Sequence, residues 1–323
     1  MRVLVTGGLG YVGSHFCKIG SNHGLKVLIY DDVSTGNLWA RSGLTVIQGD
    51  IRDTDSLAFA MRGVDAVCHF AAKSIVSESS KNAKTYESVN IDGTHSLLAA
   101  MDIAGVKSIV FSSTAAVYGT VNLTGPITEN SPCDPSSIYG ITKLAAEKLI
   151  CEWASKERSA LMLRYFNAAG ALPEFGLGEY RAQETHLIPR VINHLLQPCC
   201  SEFFINGLNY PTHDGSCIRD YVHVEDLARA HIIGLFLLGK KIKNFEICNL
   251  GSGVGYSNLE IAGLCAKLLN KRAFFQEGVA REYDPAVLIA SIEKAKFLLG
   301  WEPKKSDILS ILESAIRWHR TRA

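Results

Sequence analysis

The sequence predicts an α/β fold in which helices cover both faces of a parallel sheet. Short, continuous apolar runs bounded by turn residues alternate with longer helix-compatible segments in the first half of the chain, as strands buried on both faces do. The first apolar run leads directly into a glycine-rich loop that opens a helical segment. Because strands that alternate with helices form parallel sheets, these observations indicate a doubly wound sheet of the Rossmann type.

The apolar runs give the expected order of elements. Six of them predict strands of the sheet, and a seventh strand-like run comes later in the chain: residues 2–6, 26–30, 44–48, 66–70, 108–112, 160–165 and 245–250. Helical patterns cover residues 86–104 and 139–155 in the first half, and 258–269 and 307–319 near the C-terminus.

The regular alternation ends after Asn167, where glycine, proline and polar residues become frequent. We therefore expect a first lobe built from residues 1–167 and about 220–250. Residues 168–219 and 251–323 are expected to form a smaller lobe that is interleaved with the first.

The composition excludes several classes of function. The chain has 323 residues, 47% of them hydrophobic, which is enough for a large buried core. Its 33 basic and 32 acidic residues form no long run of either sign, so neither nucleic acid nor a membrane surface is an expected partner. No apolar stretch approaches the roughly 20 residues of a membrane span, and the N-terminus enters a strand directly, so no signal peptide is expected. The nine cysteines show no paired CxxC spacing, which favours free thiols, a cytoplasmic location and no metal site.

The glycine-rich loop and the acidic pair after the second predicted strand indicate a dinucleotide site. Gly7, Gly10 and Gly13 would allow a tight turn and close backbone approach to a pyrophosphate at a helix N-terminus. A carboxylate at Asp31 or Asp32 would accept hydrogen bonds from ribose hydroxyls and repel a 2′-phosphate, so NAD is the expected cofactor. The third predicted strand ends in Asp50, which is either an adenine contact or a helix N-cap.

A tyrosine and a lysine four residues apart are the strongest candidates for catalysis. Tyr139 and Lys143 lie at the start of a predicted helix, and residues at i and i+4 share one helix face. An ammonium group beside a phenol stabilises the phenolate, so we expect the pKa of Tyr139 to be lowered from its usual value of about 10. Thr114 follows the fifth predicted strand, where its hydroxyl would share a hydrogen bond with the reacting oxygen.

Ten motifs resemble, in order and spacing, those of the UDP-glucose 4-epimerase family and together span essentially the whole chain. They are TGGLGYVGSH, GDIRD, HFAA, FSSTAAVYG, YGITK, RYFNAAGA, ETHLIP, YPTHDGSCIRDYVHVEDLA, NLGSGVG and REYDPA. One departure is Asn209, where the family often has aspartate.

This resemblance implies NAD-dependent epimerisation at C4 of a UDP-hexose such as UDP-glucose or UDP-galactose. Tyr139 would be the base, Lys143 its partner and Thr114 the accessory hydroxyl. A homodimer formed through helices 86–104 and 139–155 is also implied. The implied NAD contacts are Tyr11, Val12, Asp31, Asp50, Ile51, Phe70, Ala71, Ala72, Asn90 and Phe166.

The expected substrate-binding residues lie mostly in the second half of the chain. Arg219 and Arg281 are candidates for the diphosphate because placed guanidinium groups suit it well, although Arg219 would otherwise pair with Asp220 or Asp226. Asp284 would accept from ribose hydroxyls. The resemblance adds sugar contacts from Asn167, His186 and Leu187, and uracil contacts from Phe204, Ile205 and Asn206.

Two positions in this set depart from the family. Asn206 stands where an aromatic residue often lies, which weakens the expected packing of uracil. Val287 lies where some relatives have a bulky tyrosine that limits the C2 substituent of the sugar, so UDP-N-acetylglucosamine is a further expected substrate.

Other activities on this fold remain open. Related dehydratases and decarboxylases carry an additional acidic group after the threonine, whereas this chain has Ala115 and Ala116, so chemistry should stop at C4. The alternatives are a 4-epimerase of another UDP-sugar, such as UDP-xylose or a UDP-uronate, and a non-catalytic NAD-binding protein. A non-catalytic protein would be expected to lose the Tyr139–Lys143 pair, which this chain keeps.

Overall fold

The computed structural model describes residues 1–120, 125–197, 202–272, 274–280 and 284–322. The strands are β1 (Arg2–Thr6), β2 (Lys26–Asp31), β3 (Thr45–Gln48), β4 (Ala66–His69), β5 (Ser108–Thr114), β6 (Ser159–Tyr165), β7 (Asn167–Ala169), β8 (Phe203–Asn206), β9 (Ile218–His223), β10 (Phe245–Leu250), β11 (Gly255–Ser257), β12 (Phe275–Gly278) and β13 (Val287–Leu288).

The helices are α1 (Tyr11–Asn22), α2 (Thr54–Ala60), α3 (Val76–Ser79), α4 (Ala83–Glu87), α5 (Gly93–Ala104), α6 (Ile138–Trp153), α7 (Leu187–Leu196), α8 (Val224–Leu237), α9 (Asn258–Leu269), α10 (Glu293–Leu299) and α11 (Ile308–Arg320). Across the described ranges, no helix combines the length and the apolar character that crossing a membrane requires.

Seven strands form one sheet in the order β10-β6-β5-β4-β1-β2-β3, and every neighbouring pair is parallel. From β1 the chain moves outwards to β2 and β3, then returns to the other side of β1 for β4, β5 and β6. This reversal places a crevice at the carboxyl ends of β1 and β4. The order confirms the predicted doubly wound fold, and each predicted strand lies within the sheet.

The two faces of this sheet are buried against different helices. Val3 and Val5 of β1 pack in one apolar cluster with residues of α1 and α8, whereas Leu4 packs in a second cluster with residues of α2, α5 and α6. Successive side chains of a strand point to opposite faces of the sheet. Because both faces are buried, each strand appears in the sequence as a continuous apolar run.

The remaining strands and helices surround a third apolar cluster. In one small sheet β9 pairs with β7, β11 and β13, while β8 pairs with β12 in another. The third cluster joins α7, α9 and α11. Strand β10 follows β7, β8 and β9 in the chain, yet it pairs with β6 at the edge of the large sheet. The lobe boundaries at residues 167, 219 and 250 stay a prediction.

The predicted helix over residues 86–104 differs from the observed structure. The chain forms α4, then a π-helical turn at Ser88–Asp92, and then α5. Asn90 is buried in this turn, where its side-chain amide bonds to the backbone of Lys73 and to the hydroxyl of Thr142. Periodicity alone does not reveal such a widened turn, because the helical face continues through it.

Candidate active site

A cleft of about 1270 Å³ lies along the carboxyl ends of the strands of the large sheet. It brings together most residues predicted for cofactor and substrate. Those that line it are Gly7, Gly10, Tyr11, Val12, Gly13, Asp31, Asp32, Asp50, Ile51, Phe70, Ala71, Ala72, Thr114, Tyr139, Lys143, Phe166, Asn167, His186, Leu187, Phe204, Ile205, Asn206, Arg219 and Asp284. Asn90 and Val287 are not among the lining residues, and Arg281 lies outside the described residues.

The glycine-rich loop has a backbone that only glycine accommodates at two of its positions. Gly7 has a φ of +71°, and a Cβ there would lie 2.5 Å from the amide nitrogen of Ala71. A Cβ on Gly13 would lie 2.2 Å from the carbonyl oxygen of Gly7. Helix α1 begins just after Gly10, which offers no side-chain cap, so its first amides face the cleft without intrahelical partners. This arrangement fits a pyrophosphate.

Asp31 and Asp32 shape the next part of the cleft. The carboxylate of Asp31 is buried and accepts backbone amides of Leu9 and Val33, each at 2.9 Å. Burial raises the pKa of Asp31. Asp32 is exposed and accepts the amide of Ser34 at 2.9 Å. Each carboxylate oxygen has two lone pairs, so both groups retain capacity for ribose hydroxyls.

Asp50 lies at the end of β3, but it does not cap a helix. Helix α2 is capped by Asp53, which accepts the amide of Ser56 at 3.0 Å, so the N-cap interpretation of Asp50 is wrong. Asp50 instead accepts Nε of Arg52 at 2.9 Å, and the hydrogen bond from this guanidinium lowers the pKa of Asp50.

Close packing of α6 against the end of β5 assembles the catalytic candidates. Ser137 caps α6 by accepting the amide of Gly140 at 3.1 Å. A Cβ on Gly140 would lie 2.5 Å from the carbonyl oxygen of Ala116, so glycine permits the helix to approach this closely. As a result, the Thr114 hydroxyl lies within hydrogen-bonding reach of the Tyr139 phenol. Thr114 also accepts the amide of Ala116 at 3.1 Å, which leaves its proton for Tyr139.

The acidity of the Tyr139–Lys143 pair differs from the expectation. Desolvation raises the pKa of Tyr139 to about 12, although the hydrogen bond from Thr114 and the charge of Arg181 oppose this shift. Burial lowers the pKa of Lys143 to about 7, and its ammonium lies 4.0 Å from the centre of the Phe111 ring. The prediction of a lowered tyrosine pKa is therefore wrong for the protein alone, because the sequence does not show how completely both groups are desolvated.

Arg219 and Asp284 form an ion pair at the far end of the cleft. The alternative partners Asp220 and Asp226 are buried and serve the backbone instead. Asp220 accepts hydrogen bonds from the backbone amides of Ser252 and Gly253, and Asp226 accepts one from the backbone amide of Lys304. The predicted competition of Asp220 and Asp226 for Arg219 is therefore wrong, and Arg219 faces the cleft.

A cluster that sequence reasoning missed surrounds His186. Glu179 is 5% exposed, and its carboxylate lies 2.5 Å from Nδ1 of His186 and 3.2 Å from Nε of Arg181. Burial alone would raise the pKa of Glu179, but the charges of His186 and Arg181 hold it below its usual value. The charge of Glu179 in turn raises the pKa of His186. Glu184 also lies within 4.8 Å, a spacing compatible with a metal ion, although Glu179 is already ion-paired.

The residues expected near uracil and the sugar ring occupy two short strands. Phe204 of β8 is 44% exposed and lines the cleft, whereas Ile205 is buried. Val287 of β13 is 40% exposed and lies outside the cleft, while the next residue, Leu288, lines it. Val287 therefore does not line the cleft, because neighbouring side chains of a strand face opposite sides, and acceptance of an N-acetylated sugar stays a prediction.

The comparisons with known proteins agree with this geometry. Residues 3–251 match the NAD dependent epimerase/dehydratase family. The chain is 43% identical to a UDP-glucose 4-epimerase of Halalkalibacterium halodurans over 99% of this chain and 96% of the relative. It is also 43% identical to one of Lacticaseibacillus casei over 99% of this chain and 97% of the relative.

A solved UDP-glucose 4-epimerase of Stenotrophomonas maltophila, with bound NAD and formylated UDP-arabinopyranose, has a TM-score of 0.94 at 35% identity. That comparison covers 100% of this chain and 98% of the other. A Bifidobacterium longum UDP-glucose 4-epimerase in complex with NAD+ and UDP has a TM-score of 0.91 at 31% identity, covering 99% and 98%. The chain therefore belongs to the NAD dependent epimerase/dehydratase family, with UDP-glucose 4-epimerases as its relatives.

Proposed function

We propose that this protein is an isomerase that uses NAD to invert C4 of a UDP-hexose, interconverting UDP-glucose and UDP-galactose through a transient 4-keto sugar. The observation that carries the proposal is one cleft that holds Tyr139 beside Thr114, with Lys143 one helical turn away, together with the glycine-rich loop and Arg219. UDP-glucose 4-epimerases at about 40% identity over nearly the whole chain support it.

When bound, NAD would supply reversible oxidation and reduction at C4, and its positive charge would favour the phenolate form of Tyr139. The side chains of the protein handle the proton. Tyr139 accepts the proton of the C4 hydroxyl, because Thr114 donates a hydrogen bond to the phenolate and Lys143 stabilises its negative charge. Tyr139 holds this proton while the keto sugar exists and then returns it to the C4 oxygen, so the protein ends in its starting state.

The nucleotide and the sugar of the substrate would bind at opposite ends of the cleft. Arg219 presents a guanidinium group that suits a diphosphate, and Asp284 fixes its orientation. Inversion requires the keto sugar to present its other face to the cofactor, so the nucleotide must be held more firmly than the sugar. Ala115 and Ala116 follow Thr114 without an acidic side chain, which supports chemistry that stops at C4.

We also propose a homodimer and a cytoplasmic location. Ile103 of α5 and Ile141 of α6 are 67% and 47% exposed, which favours a contact between copies through these helices. The seven cysteines in the described part of the chain are free thiols, as a reducing compartment would keep them.

A UDP-uronate is a second candidate substrate. Arg181 lines the cleft, and its charge acts on Tyr139, so a basic group stands near the reacting end where a carboxylate on the sugar would need one. Its existing ion pair with Glu179 makes this candidate the weaker one.

The test is product analysis with purified protein and NAD. UDP-galactose, UDP-N-acetylgalactosamine, UDP-xylose and UDP-galacturonic acid would be incubated separately, and the products identified by proton NMR. We expect UDP-glucose to form fastest, from UDP-galactose. Turnover of UDP-galacturonic acid alone would assign the second candidate, and no turnover of any sugar would contradict the proposal.

A further inference from the structure

A buried carboxylate that the mechanism above does not use lies one helical turn beyond Lys143. Glu147 of α6 is 2% exposed and forms a bidentate ion pair with Arg164 of β6, with Nε–Oε1 and Nη2–Oε2 distances of 2.8 and 2.6 Å. The hydroxyl of Ser113 donates to the same carboxylate. Ser113 directly precedes Thr114, so Glu147 joins the helix that carries Tyr139 and Lys143 to the strand that carries Thr114.

We propose that Glu147 is a positioning residue for the reaction, which keeps Lys143 protonated inside the protein and holds its helix against the Thr114 strand. The inference rests on the proposed epimerase activity, because it concerns the charge that Lys143 supplies to Tyr139.

The surroundings of Lys143 show why a nearby negative charge is needed. Lys143 is 2% exposed, and burial lowers its pKa to about 7, with Glu147 as the charge that opposes this shift. From β4, His69 faces the lysine, but burial and the charge of Lys143 lower the pKa of His69 to about 3, so it is neutral. The side chain of β5 against the ammonium is the ring of Phe111. Tyr139, on the same helix, is neutral in the protein alone and carries a negative charge only as the phenolate that accepts the C4 proton.

Arg164 and Ser113 offset the cost of burying the Glu147 carboxylate. A buried charge is costly unless it is paired and hydrogen-bonded, and this carboxylate accepts both a guanidinium and a hydroxyl. Arg164 extends the connection further, since it donates to the hydroxyl of Tyr118 at 3.0 Å. Glu147 lies one helical turn from Lys143 on the same helix, and its carboxylate, rather than the ion pair as a whole, is the charge that acts on the lysine.

The test is the pH dependence of turnover in a variant without the ion pair. Glu147→Gln/Arg164→Met removes both charges together, and it leaves no unpaired charge in the core. If Lys143 must be protonated, activity falls as pH rises through its pKa. Loss of the Glu147 charge lowers that pKa, so this alkaline fall should move to lower pH by about one unit. A purely structural role would reduce activity equally at every pH.

Three further variants sharpen the test. Glu246→Gln/Lys294→Met removes an ion pair that lies outside the cleft and has an Nζ–Oε2 distance of 2.8 Å. This variant should leave the alkaline fall in place. Ser113→Ala keeps the ion pair of Glu147 with Arg164, and therefore the Glu147 charge, so it should also leave the alkaline fall in place. Glu147→Asp shortens the side chain by one methylene and so moves the carboxylate away from Lys143. The alkaline fall should then move to lower pH by less than in the double variant. Glu147→Asp keeps the ion-pair chemistry, so it tests the proposal even if the double variant does not fold.

An unmoved alkaline fall in the active double variant or in Glu147→Asp would overturn the inference. So would Ser113→Ala moving the fall as far as the double variant does. Failure of the proposed function is a different result, because the wild-type protein would then show no epimerisation at any pH.

Discussion

The two ends of the cleft are built in different ways. At the reacting end, Tyr139 and Thr114 come from the first turn of a helix and the end of a central strand, held together by backbone packing at Gly140. At the nucleotide end, Arg219 and Asp284 come from segments 65 residues apart and are held by an ion pair between side chains. Backbone packing gives the reacting groups a fixed geometry, whereas a guanidinium held by one side-chain ion pair keeps further donors for a second anion, as diphosphate binding requires.

The reacting end should show the largest effect on catalysis. Tyr139→Phe removes the group that takes the C4 proton, so kcat should fall by about 1,000-fold or more. Bound NAD should be retained, because the glycine-rich loop is unchanged. Steady-state rates and the absorbance of bound cofactor would measure the two effects. Tyr256→Phe, outside the cleft, is the matched control and should keep full activity. Near-normal activity of Tyr139→Phe would mean that another group is the base.

The nucleotide end should affect binding more than chemistry. Arg219→Met removes a charged hydrogen-bond donor to the diphosphate, so KM for the UDP-sugar should rise by about 100-fold with a smaller change in kcat. Asp284→Asn should have a smaller effect, because Arg219 remains. Initial rates over a range of substrate concentrations give both constants. Equal losses in kcat for Arg219→Met and Tyr139→Phe would remove the distinction between the two ends.

At the reacting end, Thr114 should contribute less to kcat than Tyr139 does. Thr114→Val removes one hydrogen bond to the phenolate but leaves Lys143 in place, so kcat should fall by about 10-fold. Thr128→Val, on a loop away from the cleft, serves as the control. A loss as large as that of Tyr139→Phe would show that Thr114 itself transfers the proton.

The smallest effect concerns the cluster around Glu179. The charge of Glu179 raises the pKa of His186. Protonated His186 therefore stabilises the fold fully below the usual histidine pKa, and this stabilisation is lost as pH rises through the raised pKa. His186→Gln should therefore lower Tm in mild acid and have little effect at alkaline pH. Thermal melts across this range, with His95→Gln as control, test the sign. A Tm difference that grows with pH would contradict it.

The sequence predicts the features that depend on local pattern. The strands, the glycine-rich loop and the pair Tyr139–Lys143 follow from periodicity and spacing, and the structure brings them together as expected. A one-residue shift along a strand decides which side chain enters the cleft, so Leu288 was missed in favour of Val287. The cap of α2 lies at Asp53, three residues after Asp50, for which the sequence allows either a cap or an adenine contact.

Long-range contacts and desolvation stay hidden at the level of sequence. Glu179 pairs with His186, and Glu147 with Arg164, only because the folded chain brings them together. The pKa of Tyr139 depends on how far water is excluded, which spacing does not show.

The central claim is that one carbon is oxidised and reduced by the same bound cofactor while Tyr139 holds the proton. UDP-galactose carrying deuterium at C4 tests it most directly. The account predicts UDP-glucose that keeps the deuterium at C4, with none exchanged for solvent hydrogen. UDP-glucose without deuterium at C4 would contradict it.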